Sequence, residues 1–288
     1  MSDKFVLPEK LTVWARERLV CGCLPDDLIQ GMVKVGHPLE YAQRFVREIL
    51  ALRDAEYIRS TRQALTTNNS DTDAMQFPNE VNLADCKVSV LMALSRPRVI
   101  LLENLLSAEE CDALIELSRP ELKRAKVVDE KTGEPRIDHE RVSANRNFSH
   151  GETPLVSAFE ARIAALFGHP VAHQEPVQVL YYPVGGRYKP HHDYFDPALP
   201  GSPAILNRGG QRVATVVTYL NDVAEGGGTI FPKLGLEAKP KRGNAVYFEN
   251  VDESGQINPA LLHTGAPVIQ GEKWIAVKWI RAGQWRNC

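Results

Sequence analysis

The stretch 182–195, which reads Tyr-Pro-Val-Gly-Gly-Arg-Tyr-Lys-Pro-His-His-Asp-Tyr-Phe, constrains this chain most strongly. It predicts a strand that follows a Gly-Gly turn. Side chains on a strand alternate between its two faces, so His191 and Asp193 point the same way while His192 points the opposite way. The pattern places one imidazole and one carboxylate side by side. Taken alone, such a triplet also fits a solvated loop with a surface histidine.

A third ligand would complete a metal site, and the chain offers His263 within Leu-His-Thr-Gly. Two histidines and one carboxylate on one side of an iron leave other positions open for a co-substrate and O2, as in non-haem Fe(II) oxygenases. Lys273 follows ten residues later, a gap that lets a strand end, turn and return antiparallel. A fixed positive charge there would pair with the far carboxylate of a dicarboxylate that chelates the metal.

This set of residues, together with Tyr182, resembles the prolyl 4-hydroxylase branch of the Fe(II)/2-oxoglutarate dioxygenases. The likeness runs from about Pro97 to Arg281 and includes five further motifs in the family's order. They are Arg-Val-Ala-Thr at 212–215, Tyr-Leu-Asn-Asp-Val at 219–223, Glu-Gly-Gly-Gly-Thr-Ile-Phe-Pro at 225–232, Pro-Lys-Arg-Gly-Asn-Ala at 240–245 and Lys-Trp-Ile at 278–280. One departure is Gly228, which stands where the family often has an acidic residue.

The resemblance implies an α+β fold with a mainly β core. That core is a double-stranded β-helix, or jelly roll, with flanking helices and a small N-terminal helical segment. Many short strands separated by Gly-rich turns also predict a sandwich or barrel with a site in its mouth. Ahead of the core, Ser107 is a predicted helix N-cap, with Glu110 at the capping-box position.

The same resemblance implies the chemistry. His191, Asp193 and His263 are expected to bind Fe(II), and Lys273 is expected to anchor the distal carboxylate of 2-oxoglutarate. The two co-substrates are 2-oxoglutarate and O2, and ascorbate is the expected reductant. The expected reaction hydroxylates prolyl residues of a peptide or protein, with release of succinate and CO2. Two alternatives remain open, namely a 2-oxoglutarate oxygenase of small molecules and a non-catalytic metal-binding jelly-roll scaffold.

Further contacts are expected around this centre. Tyr182 and Thr218 are predicted to contact 2-oxoglutarate. Arg146, Tyr188 and Tyr194 are predicted to line a groove for an extended, proline-containing segment, because such segments bind aromatic grooves in a preformed state. The alternative is that the aromatic side chains belong to the core.

Composition narrows the class of partner. The 34 Lys and Arg residues balance 36 Asp and Glu residues, for a net charge of -2, so no basic face for nucleic acid is expected. The five cysteines are odd in number and widely scattered, which favours reduced thiols over disulfides. No apolar run is long enough to span a bilayer, so we expect a cytoplasmic protein without a membrane partner. The oligomeric state stays open.

Three segments are predicted, an N-terminal helical module at 1–62, a polar linker at 63–86 and the dioxygenase domain at 87–288. Two apolar stripes at helical spacing mark the module: Leu11, Trp14, Ala15 and Leu19, then Leu39, Ala42, Val46, Ile49 and Leu50. This module either docks a partner or shields one face of the catalytic domain. The linker is too polar for burial to offset the entropy of ordering it.

Overall fold

The chain divides into two compact units, Met1–Gln63 and Ala64–Cys288, in a computed structural model. The structure describes residues 7–20, 25–49, 77–125, 127–128, 135–136, 142–252 and 254–286. Among the described helices, none combines the length and the apolar character that a membrane crossing requires.

The N-terminal unit is helical, as the apolar stripes predicted. Its helices are α1 (Glu9–Val20), α2 (Pro25–Lys34) and α3 (39–49). Their apolar faces enclose a small core of Ala15, Leu28, Met32, Ala42, Phe45, Val46 and Ile49. The helical prediction for residues 50–62 lies outside the described residues. The docking and shielding roles both stay predictions.

A large antiparallel sheet dominates the second unit. Its nine strands run in the spatial order β1-β2-β3-β14-β10-β17-β8-β7-β4. Their bounds are β1 (Glu80–Asn82), β2 (Lys87–Leu94), β3 (Val99–Glu103), β4 (Lys123–Arg124), β7 (Ala144–Asn147), β8 (Gln178–Tyr182), β10 (Arg212–Tyr219), β14 (Ala245–Glu249) and β17 (Lys273–Arg281).

Shorter strands complete the architecture. A four-stranded sheet has the order β13-β12-β15-β9, and β11 pairs with β16. The strands are β9 (Tyr188–His191), β11 (Glu225–Gly226), β12 (Thr229–Phe231), β13 (Leu236–Ala238), β15 (His263–Gly265) and β16 (Val268–Gln270), and a separate hairpin joins β5 (Val127–Val128) to β6 (Pro135–Arg136). The helices are α4 (Ala108–Ser118), α5 (Pro154–Phe167) and α6 (Ser202–Leu206), with 3-10 turns at Arg119–Glu121, Val171–His173 and Pro259–Leu261.

The large sheet is buried on both faces. One face packs on α4 and α5, through residues such as Leu114, Phe159 and Val216. The opposite face meets the small sheet, where Tyr182 and Phe231 belong to a second apolar cluster. This is the predicted mainly β jelly roll with flanking helices. The predicted capping box is also present, because Ser107 accepts from the Glu110 backbone and the Glu110 carboxylate accepts from the Ser107 backbone.

The end of the predicted linker belongs to the large sheet instead. Residues 63–76 lie outside the described residues, but Glu80–Asn82 forms β1 and pairs antiparallel with β2. Val81 also packs against the apolar cluster on the helix side of the sheet. Main-chain pairing at a sheet edge stabilises these polar residues, and their composition alone does not indicate it.

Candidate metal and co-substrate site

Strand register brings three ligand-type side chains together. His191 ends β9, His263 begins β15, and the two residues face each other in the antiparallel register of these strands. Asp193 lies two residues beyond His191, on the same side. Its carboxylate oxygens lie 3.7 Å from Nε2 of His191 and 3.7 Å from Nε2 of His263. One ligand atom from each residue lies within 4.8 Å of the others.

Backbone carbonyls fix the orientation of both imidazoles. Nδ1 of His191 lies 2.8 Å from the Lys189 carbonyl oxygen, and Nδ1 of His263 lies 3.0 Å from the Leu261 carbonyl oxygen. An imidazole that donates its Nδ1 proton to a carbonyl has its Nε2 lone pair free for a metal. Both Nε2 atoms face Asp193, so the donor set fits a divalent transition metal.

The carboxylate is held in its ionised form. Burial works to raise the pKa of Asp193, but the neighbouring His263, His191 and Arg212 outweigh it and keep that pKa below its usual range. Asp193 is 7% exposed, so its charge is poorly solvated by water. A buried carboxylate between two imidazoles is therefore set up to bind a cation.

Lys273 supplies a buried positive charge beside this cluster. It begins β17, pairs with Tyr182 of β8 and is only 3% exposed. Its Nζ lies 5.3 Å from the ring centroid of Tyr182 and 5.8 Å from that of Tyr219, and no described carboxylate forms an ion pair with it. Burial lowers the pKa of Lys273 to about 7.

Glycines leave space around this ammonium group. A side chain at Gly265 would begin 3.9 Å from Nζ, and one at Gly227 would begin 3.4 Å from Cδ of Lys273. A buried ammonium without a carboxylate partner is costly unless an anion satisfies it. The buried lysine is therefore suited to pair with the carboxylate of a bound anion.

The prediction for Thr218 is wrong. Along β10, Val217 and Tyr219 belong to the apolar cluster on the metal side, whereas Val216 and Leu220 belong to the cluster on the helix side. Alternation therefore places Thr218 on the helix side, away from Lys273. Its hydroxyl is buried without a hydrogen-bond partner among the described residues.

Thr229 is a threonine whose side chain lies on the same side of the large sheet as Lys273. It is 4% exposed, pairs with Gly265 beside the lysine, and lies 2.8 Å from the Tyr219 hydroxyl. Phe231, the next residue on the same face of β12, has its ring 5.6 Å from that of His263. The alternation of Thr229 and Phe231 after a Gly-rich turn is the sequence signal that would have indicated this inward position.

The predicted groove residues are brought to three different places. Tyr188 lies at the metal cluster, with its ring 3.8 Å from that of His191. Tyr194 instead stacks on His192, with the ring centroids 4.6 Å apart. Its predicted contact with substrate stays a prediction.

Arg146 contacts residues outside the metal cluster, and its predicted contact with substrate stays a prediction. Its guanidinium donates to the Leu117 carbonyl oxygen at 2.6 Å, pairs with Glu121 and Glu152, and lies over the Phe148 ring. These partners lie in α4, in the 3-10 turn that follows it and in the segment that enters α5, so Arg146 ties helices to the sheet on the helix side.

A neighbouring side chain accounts for the glycine at 228. A Cβ at Gly228 would lie 2.2 Å from Oε1 of Glu237. The Glu237 carboxylate thus fills the space into which a side chain at position 228 would project. The family's common acidic residue and Glu237 would compete for that space in this chain.

Three comparisons place the fold and site among known proteins. Residues 177–281 match the model of the 2OG-Fe(II) oxygenase superfamily. Probable prolyl 4-hydroxylase 10 of Arabidopsis thaliana is 37% identical over 209 residues, covering 66% of this chain and 71% of that protein. Prolyl 4-hydroxylase 1 of the same plant is 41% identical over 200 residues, covering 64% of this chain and 69% of that protein.

A solved structure is also similar to this chain. The viral collagen prolyl hydroxylase of Paramecium Bursaria Chlorella virus-1, solved with 2OG, has a TM-score of 0.50 and 30% identity, covering 64% of this chain and 95% of that one. The matched segment, residues 177–281, contains the strands from β8 to β17, the clustered ligands and the buried lysine. Because sequence relatives, structural neighbour and site chemistry agree, this chain belongs to the prolyl 4-hydroxylase family of Fe(II)/2-oxoglutarate dioxygenases.

Proposed function

We propose that His191, Asp193 and His263 bind the Fe(II) of this dioxygenase and that Lys273 binds the distal carboxylate of 2-oxoglutarate. The observation that carries the assignment is a buried ammonium without a carboxylate partner among the described residues, close to a His-Asp-His cluster. A scaffold that only held a metal would gain nothing from such a costly buried charge.

An Fe(II) ion held by His191, Asp193 and His263 would supply, together with 2-oxoglutarate and O2, the oxidising chemistry that hydroxylates a substrate C–H bond, with 2-oxoglutarate leaving as succinate and CO2. The chain's own residues orient the reactants. Lys273 donates to the distal carboxylate in surroundings where burial strengthens the charge pair. The rings of Phe231 and Phe248 pack on His263 at 5.6 and 4.8 Å and exclude water from that side. Ascorbate is the proposed reductant that keeps the metal ferrous.

We further propose that the substrate is a prolyl residue within a peptide or protein. Support comes from the relatives, which are named as prolyl 4-hydroxylases and match two thirds or more of their own length. Tyr188, whose ring lies against His191, is the described aromatic side chain best placed to contact a substrate ring at the metal.

Proline-rich peptides test the substrate class. With Fe(II), 2-oxoglutarate and ascorbate, the full chain is expected to add one oxygen atom to such peptides and to release succinate in proportion. Mass spectrometry measures both, and matched peptides with every proline replaced by alanine are the control. Peptide-independent succinate release without any mass gain would contradict the peptide proposal and favour a small-molecule substrate.

The affinity for 2-oxoglutarate is expected to fall as the pH rises above about 7. Lys273 must be protonated to pair with a carboxylate, and burial lowers its pKa to about 7. Below that pH the free protein already carries the proton. Above it, binding must take up a proton, so the dissociation constant is expected to rise about tenfold per pH unit until the pKa of the complex is reached. Calorimetry with Mn(II) in place of Fe(II) measures this without turnover.

Lys273→Arg is the matched control for this pH dependence. A guanidinium stays protonated across the whole range, so the slope should disappear in any Lys273→Arg protein that still binds 2-oxoglutarate. A slope that persists in this variant would mean that a different group takes up the proton.

A further inference from the structure

Two buried residues outside the ligand set form a hydrogen-bond chain that ends on the metal-site carboxylate. Oγ1 of Thr215 donates to Oδ2 of Asp193 at 2.8 Å. Nδ2 of Asn250 donates to the same Thr215 oxygen at 3.0 Å. Thr215 is 0% exposed and Asn250 is 1% exposed, so water does not compete for these bonds.

The chemistry of the three groups gives the chain one direction. A threonine hydroxyl has a single proton, and an amide NH2 group can only donate. With Asn250 donating to its oxygen, Thr215 has its proton available for Asp193. The Asn250 amide thus selects the orientation in which the Thr215 hydroxyl donates to the carboxylate. Asn250 acts on Asp193 only through Thr215.

Asn250 is itself held in place by the main chain. It follows β14 directly, its N–H donates to the Val213 carbonyl oxygen at 2.8 Å, and its own carbonyl oxygen accepts from Asn258 at 2.9 Å. Thr215 lies opposite Phe248 in the β10–β14 register, and Asn250 follows Phe248 by two residues, so the register brings Asn250 close to Thr215. The donor position is therefore fixed by two strands and a turn, and not by the side chain alone.

We propose that Asn250 is a positioning residue, which acts through Thr215 to hold the Asp193 carboxylate in the orientation that binds metal. Thr215 engages Oδ2, while Oδ1 faces Nε2 of His191. This inference rests on the proposed function of the His-Asp-His cluster. Groups that orient a metal ligand commonly change metal affinity without touching the ion.

Binding of Mn(II) to the full chain, without 2-oxoglutarate or peptide, tests the proposal by titration calorimetry. Thr215→Val, which keeps the shape and removes the hydroxyl, is expected to weaken binding by about 10 to 100-fold, and Asn250→Ala by about tenfold. Thr215→Ser keeps the hydroxyl and should stay within about twofold of the unmodified protein. Should the alanine variant fail to fold, Asn250→Leu keeps the branched shape without a donor and carries the same expectation.

A double-mutant cycle tests whether Asn250 acts through the Thr215 hydroxyl or through a general loss of packing. Asn250→Ala should add less than about a further twofold in the Thr215→Val background, because its effect passes through the missing hydroxyl. Asn244, at the other end of the same strand and 8% exposed, makes no side-chain hydrogen bond to the described residues and is the matched control. Asn244→Ala should leave the affinity unchanged.

The Fe(II) dependence of turnover tests the same proposal independently of Mn(II) binding. The Fe(II) concentration for half-maximal succinate release should rise in the Asn250→Ala protein, while that for 2-oxoglutarate stays unchanged, because Lys273 is untouched. Unaltered Mn(II) binding by the Asn250 variant, additive losses in the double variant, or an equal loss in Asn244→Ala would overturn the proposal. Unaltered Mn(II) binding by His191→Ala would instead overturn the metal assignment itself, so the two failures are distinguishable.

Discussion

Asp193→Ala is expected to lower 2-oxoglutarate-dependent succinate release by on the order of 10³-fold or more. The carboxylate lies 3.7 Å from Nε2 of both His191 and His263, so both imidazoles share this charged group. Without it, two neutral imidazoles face a divalent cation with no charge to compensate it. Succinate release at saturating 2-oxoglutarate, together with the metal content of the purified protein, measures the effect.

The neighbouring His192 provides the control. It is not one of the three clustered ligand-type side chains, its Nε2 lies 3.3 Å from the Pro259 carbonyl oxygen, and burial lowers its pKa. His192→Ala should therefore keep metal binding and most of the turnover. Succinate release that survives in Asp193→Ala, or that disappears equally in both variants, would contradict the assignment of the carboxylate as a ligand.

Two of the three ligands were predictable because their relative geometry is local. His191 and Asp193 are separated by one residue, so strand alternation alone places them on one side. The pairing of His263 with His191 depends on strand register, which no short pattern specifies, and it followed from the resemblance to the family. The capping box at Ser107 was predictable for the same local reason.

The two threonines of β10 show where such prediction fails. From Ala214 to Tyr219 every residue of that strand is buried, so both faces are apolar and the sequence carries no polar-to-apolar alternation. A strand buried on both sides does not reveal which residues face the site. A site contact was predicted for Thr218, whereas Thr215 is the threonine that contacts Asp193. Only the packing of helices on one face of the sheet distinguishes the two threonines.

The contacts of Arg146 and the formation of β1 were not predictable for a related reason. The guanidinium of Arg146 pairs with acidic residues outside its own strand, Glu121 and Glu152. The residues of β1 are polar and gain their order from main-chain pairing with β2. In both cases tertiary contacts overrode what the local composition indicated.

Lys273→Met is expected to have opposite effects on function and on stability. The concentration of 2-oxoglutarate for half-maximal activity should rise by about 100-fold or more, because a charge-assisted pair is lost and the carboxylate is left without a partner. The free energy of unfolding of the protein without 2-oxoglutarate should rise by about 1 to 3 kcal/mol near neutral pH, because a buried, unpaired ammonium is removed. Denaturant titration measures the stability, and succinate release measures the requirement for 2-oxoglutarate.

The pH dependence of this stabilisation has a definite sign. The pKa of Lys273 is lowered from 10.5 to about 7 in the folded protein, so the unfolded chain binds more protons between these values and stability rises with pH there. The penalty that Lys273→Met removes is complete below about pH 7 and fades towards 10.5. Thr218→Val, which alters the helix-side face of the same sheet, should leave the 2-oxoglutarate requirement unchanged at every pH. A methionine variant that was less stable and still responded to 2-oxoglutarate as before would show that the lysine is a structural residue, and that the co-substrate is anchored elsewhere.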